Sequence, residues 1–166
     1  MVSDDLLKLA FQLGEALKSK GGVLSLAESC TGGWTAACIT AVPGSSAWFD
    51  RGFVTYSNAS KQEILGVSAD TLATHGAVSE QTAYEMALGA MKNSHANIAA
   101  SITGIAGPDG GSAEKPVGMV CFTWITANGY TDSMTRHFSG DREEVRLQSV
   151  KTMLEGLLQL TLTTDL

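Results

Sequence analysis

Three side chains with a nucleophilic oxygen or sulfur stand in a row at Ser29, Cys30 and Thr31. The apolar run VLSLA (residues 23–27) and Glu28 precede them, and Gly32-Gly33 follows. A serine between a strand and a helix has the setting of a nucleophile elbow, although GxSxG itself is absent. Such a serine needs a base. The histidines are His75, in a turn before glycine, His95, in a polar helix end, and His137, in a strand. None is an evident partner. The other candidate is Lys61, in YSNASKQEILG. To be neutral near pH 7 a lysine must lose about 3 pKa units, roughly 4 kcal/mol of destabilisation of its charge. Taken alone, Lys61 reads as a solvated helix residue. Tyr56, in the same segment, could relay a proton or pack. Cys30 is the more nucleophilic type, but without a histidine partner it reads as a small apolar side chain under a helix. Glu28 either orients the loop through backbone N–H groups or stands exposed.

A second glycine-rich stretch, TGIAGPDGG, follows the run NIAASIT (residues 97–103). In open α/β sheets ligands bind beyond the carboxyl ends of the strands, where the strand order reverses. Glycine loops there let backbone N–H groups approach an anion, and a helix starting near Gly32 would add its dipole. Glycines that merely turn the chain are the competing reading of either loop. Hydroxyls at matching places (Ser29, Thr31 and Thr103) favour a site made from both. Neither loop carries GxxxxGK[ST] or GxGxxG. In GDREEVR, Arg142 stands at a helix start, where its charge opposes the dipole. It is read as a ligand contact or as a surface arginine paired with a carboxylate.

The elements that must position these residues follow from periodicity and punctuation. Apolar residues at helical spacing predict a helix over 4–20, capped by Ser3 and ended by Gly21-Gly22. Strands are expected at 23–27, 49–58 and 97–103. Helices are expected from near Gly32 to the Pro43-Gly44 stop, over ASKQEILG, over 69–74, and from Ser79 to about Asn93. GMVCFTWITA and YTDSMTRHFS, joined through Asn128-Gly129, read as a hairpin. Asp141 with Glu144 forms a capping box that opens a last helix to about Leu162. The order predicts an α/β layered domain, residues 1–166, on a mixed five-stranded sheet that is parallel at first and antiparallel at the end.

Composition sets the outer limits. Of 166 residues, 44% are hydrophobic and 17% charged, which supports a large core in one domain and argues against disorder. A net charge of −6, with 11 Lys and Arg spread along the chain, argues against nucleic-acid binding but leaves room for a small anion. Three cysteines without CxxC spacing read as a reduced, cytoplasmic chain. The amino-terminal stretch does not read as a signal peptide, and no apolar run is long enough to span a membrane. No His/Asp/Glu/Cys cluster supports a metal.

AESCTGG, PGSSAWFDRGFVTYSNASK, GAVSE, TGIAGPDGGSAEKPVG and FSGDREEVR, in that order, resemble the CinA C-terminal domain family over nearly the whole chain. The resemblance implies a three-layer α/β/α sandwich with sheet order 2-1-3-4-5. It also implies hydrolysis of the carboxamide of nicotinamide mononucleotide to nicotinate mononucleotide and ammonia, in pyridine nucleotide salvage. No cofactor or metal is implied, and a homodimer is. The family's serine, lysine and tyrosine fall on Ser29, Lys61 and Tyr56. Ser29 would attack, and Lys61, directly or through Tyr56 or Ser46, would take the proton. N–H groups of Thr31, Gly32 and Gly33 would hold the oxyanion, while Thr103, Gly104, Gly107 and Arg142 would bind ribose and phosphate. Which loop holds which anion is left open. A nucleotide-binding module without catalysis and a thiol hydrolase using Cys30 are the alternatives.

Overall fold

A computed structural model describes residues 2–166 of the chain. The elements run α1 (Asp4–Lys20), β1 (Leu24–Glu28), α2 (Trp34–Thr40), a 3-10 turn (Ser45–Ala47), β2 (Phe49–Val54), α3 (Asn58–Leu65), α4 (Ala69–His75), α5 (Glu80–Lys92), β3 (Ile98–Gly104), β4 (Met119–Thr126), β5 (Thr131–His137) and α6 (Arg142–Thr163). The sheet order is β2-β1-β3-β4-β5. β1 pairs in parallel with both β2 and β3, whereas β3–β4 and β4–β5 are antiparallel. The expected α/β class and strand order are those observed.

Helices cover both faces of the sheet, and strand alternation sorts the side chains between them. On one face Leu24, Leu26, Ile98, Ala100, Ile102, Val120, Phe122 and Trp124 join Leu13, Leu17, Val150, Met153 and Leu157 of α1 and α6. On the other, Ala27 and Ala99 meet Met86, Ala87 and Ala90 of α5. Ser25 and Ser101 also turn to that side, donating to the carbonyls of Ala90 and Ala83. Small residues on this face let α5 lie close to β1 and β3.

Local signals set most boundaries. Ser3 accepts from the N–H of Leu6, and Gly21 closes α1 in the left-handed conformation. Asp141 and Glu144 form the expected capping box of α6. β1 extends one residue further than expected, through Glu28, and β2 ends earlier, at Val54. Because β1 is flanked by parallel neighbours on both sides, its end and that of β3 lie side by side, with Glu28 level with Ile102 and Val54. The loops after β1 and β3 therefore face each other at the point where the strand order reverses.

Candidate active site

Glu28 organises the first loop. It is buried at the end of β1, and its carboxylate accepts from the Thr31 hydroxyl (2.6 Å) and from the N–H groups of Thr35 (3.1 Å) and Ala36 (2.8 Å). The residue before α2 is Gly33, which has no side chain to cap the helix, so Glu28 supplies the anion from the strand. The expectation that the start of this helix would attract a ligand's charge is thereby corrected. Gly32 and Gly33, at φ of +60° and +93°, make the turn between them.

Lys61 is 1% exposed, not solvated. Its Nζ lies 3.0 Å from Ser29 Oγ and donates to the carbonyl of Thr55 at 2.9 Å. A capping box at Ser57 and Ser60 starts α3 immediately after β2, which turns Lys61 back over the end of β1. Burial holds the lysine's pKa below its ordinary value, with the neighbouring Cys30 acting in the opposite direction. Cys30 belongs to the apolar core, and its thiol is pushed up to about 12, first by burial and then by Glu28. At neutral pH the thiol stays protonated, which disfavours it as the attacking group.

The second loop closes the other side. Thr103 donates to the carbonyl of Ala77 (2.7 Å), tying β3 to the turn before α5. Arg142 donates to the Gly107 carbonyl (2.7 Å) and to the Tyr56 hydroxyl (2.9 Å), and among the described residues it forms no ion pair with a carboxylate. Ser29, Lys61, Tyr56, Thr103, Gly107 and Arg142 line one cavity of about 280 Å³. Arg142 also borders a wider cavity of about 870 Å³, together with Thr31, Gly32, Gly33, Trp34 and Arg146. His75, His95 and His137 line neither. A buried serine against a buried lysine, beside loop N–H groups, is an arrangement suited to acyl transfer.

Residues 6–161 match the CinA C-terminal domain. The chain belongs to the CinA C-terminal domain family. It is 54% identical over 159 residues to the nicotinamide-nucleotide amidohydrolase PncC of Escherichia coli (strain K12), covering 96% of each chain. Identity to the protein of the same name from Pseudomonas putida is 49% over 157 residues, 95% of this chain and 98% of that one. Among solved structures, the competence/damage inducible protein CihA from Agrobacterium tumefaciens superposes with a TM-score of 0.93 at 48% identity, covering 96% of this chain and 98% of that one.

Of the expected site residues of this CinA domain, Ser29, Tyr56, Lys61, Thr103, Gly104, Gly107 and Arg142 share one cavity, Thr31, Gly32 and Gly33 line the wider one that Arg142 also borders, and Ser46 lies on neither. Ser46 is exposed on the 3-10 turn that leads into β2. β2 then carries the chain its full length, about 20 Å at 3.3 Å per residue, before reaching the site. Ser46 thus lies at the opposite end of the sheet from Ser29, and no relay through it is built within this chain. The Gly32 N–H is also engaged, donating to the Ser29 carbonyl at 3.0 Å. The N–H groups of Cys30, Thr31 and Gly33 have no acceptor among the described residues. Sequence reasoning missed Arg146 of the same GDREEVR stretch. It donates to the carbonyls of Cys30 and Thr31, both at 3.0 Å, with its guanidinium 5.3 Å from the centre of the Trp34 ring. Its spacing of four from Arg142, one helical turn, was the available signal.

Proposed function

We propose that this chain hydrolyses the carboxamide of nicotinamide mononucleotide to nicotinate mononucleotide and ammonia, with Ser29 as nucleophile and Lys61 as its base. The contact of 3.0 Å between Lys61 Nζ and Ser29 Oγ, in a site where the lysine is buried, carries this reading. The amidohydrolases named above, similar over almost their whole length, supply the substrate.

A neutral lysine has two N–H donors and one lone pair. One donor is engaged by the Thr55 carbonyl, and the lone pair accepts the Ser29 proton. Ser29 Oγ then attacks the carboxamide carbon. The Lys61 ammonium passes its proton to the departing nitrogen, ammonia leaves, and an ester remains on Ser29. Water, deprotonated by the same lysine, opens that ester to the carboxylate. Tyr56 is 61% exposed and held by Arg142 at the rim, so the geometry favours Lys61 as the direct base. The oxyanion is assigned to the loop that carries Ser29, through N–H groups of Cys30 and Thr31, where one donor is worth about 3 kcal/mol. Ribose and phosphate are assigned to Thr103, Gly104, Gly107 and Arg142. Product nicotinate mononucleotide would return to pyridine nucleotide salvage.

Ammonia release from nicotinamide mononucleotide tests the reaction. Ser29→Ala should lower the rate by at least about 10³-fold, while Cys30→Ala should retain turnover. A pure protein that binds the nucleotide without releasing ammonia defeats the enzyme reading. Loss with the cysteine change and survival of the serine change would transfer the attack to the thiol.

A further inference from the structure

We infer that Arg146 is a positioning residue for the reaction, acting through the peptide planes of the Ser29 loop without contact with the reacting atoms. The inference rests on the amidase reading of Ser29 given above. Arg146 leaves α6 and places its fork on two successive carbonyls, Nε on Cys30 and Nη2 on Thr31. A trans peptide holds its N–H antiparallel to its C=O. Fixing the Cys30 carbonyl therefore fixes the direction of the Thr31 N–H, which points away from the guanidinium and has no acceptor among the described residues. Fixing the Thr31 carbonyl likewise sets the Gly32 N–H, which closes the turn on the Ser29 carbonyl.

The remaining contacts of the loop leave this task to Arg146. Glu28 holds the Thr31 side chain and the start of α2, but no carbonyl. The Trp34 N–H also reaches the Thr31 carbonyl, at 3.1 Å, whereas among the described residues only Arg146 donates to that of Cys30. The Trp34 ring in turn limits the guanidinium's movement. A cation on the oxygen end of a peptide also polarises its N–H, strengthening the donor at the moment negative charge develops. Arg142, one turn earlier on α6, anchors the Gly107 carbonyl, although that peptide leads into Pro108 and carries no N–H to polarise. One helix thus orients backbone in both loops.

Arg146→Met and Arg146→Lys decide the question. With nicotinamide mononucleotide, Arg146→Met should lower kcat by about 10²-fold, the scale of a misplaced catalytic group, and leave KM nearly unchanged. The acid limb of the pH profile, set by Lys61, should not move. Arg146→Lys, which reaches one carbonyl but cannot fork, should recover part of kcat. A rise in KM at unchanged kcat would make Arg146 a substrate contact and overturn the inference, as would normal kinetics in both variants. A crystal structure of Arg146→Lys, the milder change, gives a second readout that needs no substrate. The Cys30–Thr31 peptide should rotate or lose order while Lys61 stays on Ser29. An unmoved peptide overturns the positioning role. If the unmodified protein releases no ammonia, the amidase reading falls, and the peptide orientation still decides what Arg146 does.

Discussion

Burial without a carboxylate partner disfavours the charged form of Lys61, whose close polar contacts are the Ser29 hydroxyl and the Thr55 carbonyl. The lysine's pKa is lowered by desolvation, and the sign of two pH dependences follows. Activity needs the free amine, so kcat/KM should rise with pH along an acid limb belonging to Lys61 and level off once the lysine is neutral. Stability behaves similarly. Between the lowered folded pKa and the unfolded value of about 10.4, the unfolded chain binds a proton that the folded chain does not, so stability increases with pH across that window. Lys61→Met removes the cost of the buried ammonium. It should lower kcat by about 10²–10⁴-fold and yet make the protein more resistant to denaturant than wild type at pH 7. That advantage should shrink as pH approaches 10. Urea unfolding of both proteins from pH 7 to 10 measures it, and a pH-independent difference would show that Lys61 folds with an ordinary pKa.

At the scale of elements, the base is only as well placed as α3, and α3 rests on α5. The contact is tight at Gly89. A Cβ built there would lie 2.1 Å from the Leu65 carbonyl oxygen and 2.8 Å from its carbonyl carbon and Cα. By helix propensity alone, alanine at this position in α5 would stabilise by about 0.8–1 kcal/mol. Here the neighbour is backbone, which cannot rotate out of the way, so overpacking wins. Gly89→Ala should destabilise by about 1–3 kcal/mol, displace the end of α3 and reduce kcat with it. Thermal unfolding and turnover together check this, and a variant as stable as wild type would refute it. Such contacts also separate what was legible in the sequence from what was not. Caps at Ser3, Ser79 and Asp141, the Asn128-Gly129 hairpin and the alternating strands depend on neighbours along the chain, and they could be read directly. The burial of Lys61 could not, because it depends on which face α3 turns toward β1. Nor could the engagement of the α2 start by Glu28, which depends on where β1 ends. Ser46 entered only through the family resemblance, and within this chain the length of β2 separates it from Ser29.

For the whole molecule, the cavity joins parts of the chain that the fold otherwise holds in separate layers. Ser29 and Thr103 end central strands, Lys61 belongs to α3, which packs with α5 on one face, and Arg142 opens α6 on the other. A ligand touching all four must bind the folded state and not the unfolded one, so its affinity appears as global stability. Nicotinate mononucleotide at 100 times its Kd should add about 2.7 kcal/mol, or roughly 5–10 °C in Tm for a chain of this size. The net charge of −6 offers a mononucleotide no general attraction, so the gain must come from local donors. Ser29→Ala removes the nucleophile and none of the proposed phosphate donors, and should keep most of the shift. Arg142→Ala removes the guanidinium at the boundary of both cavities, and should lose most of it, in a manner that added salt reproduces in part in the unmodified protein. An equal shift in Arg142→Ala would move the phosphate away from the second loop. No shift in any variant would remove the mononucleotide from this cavity altogether.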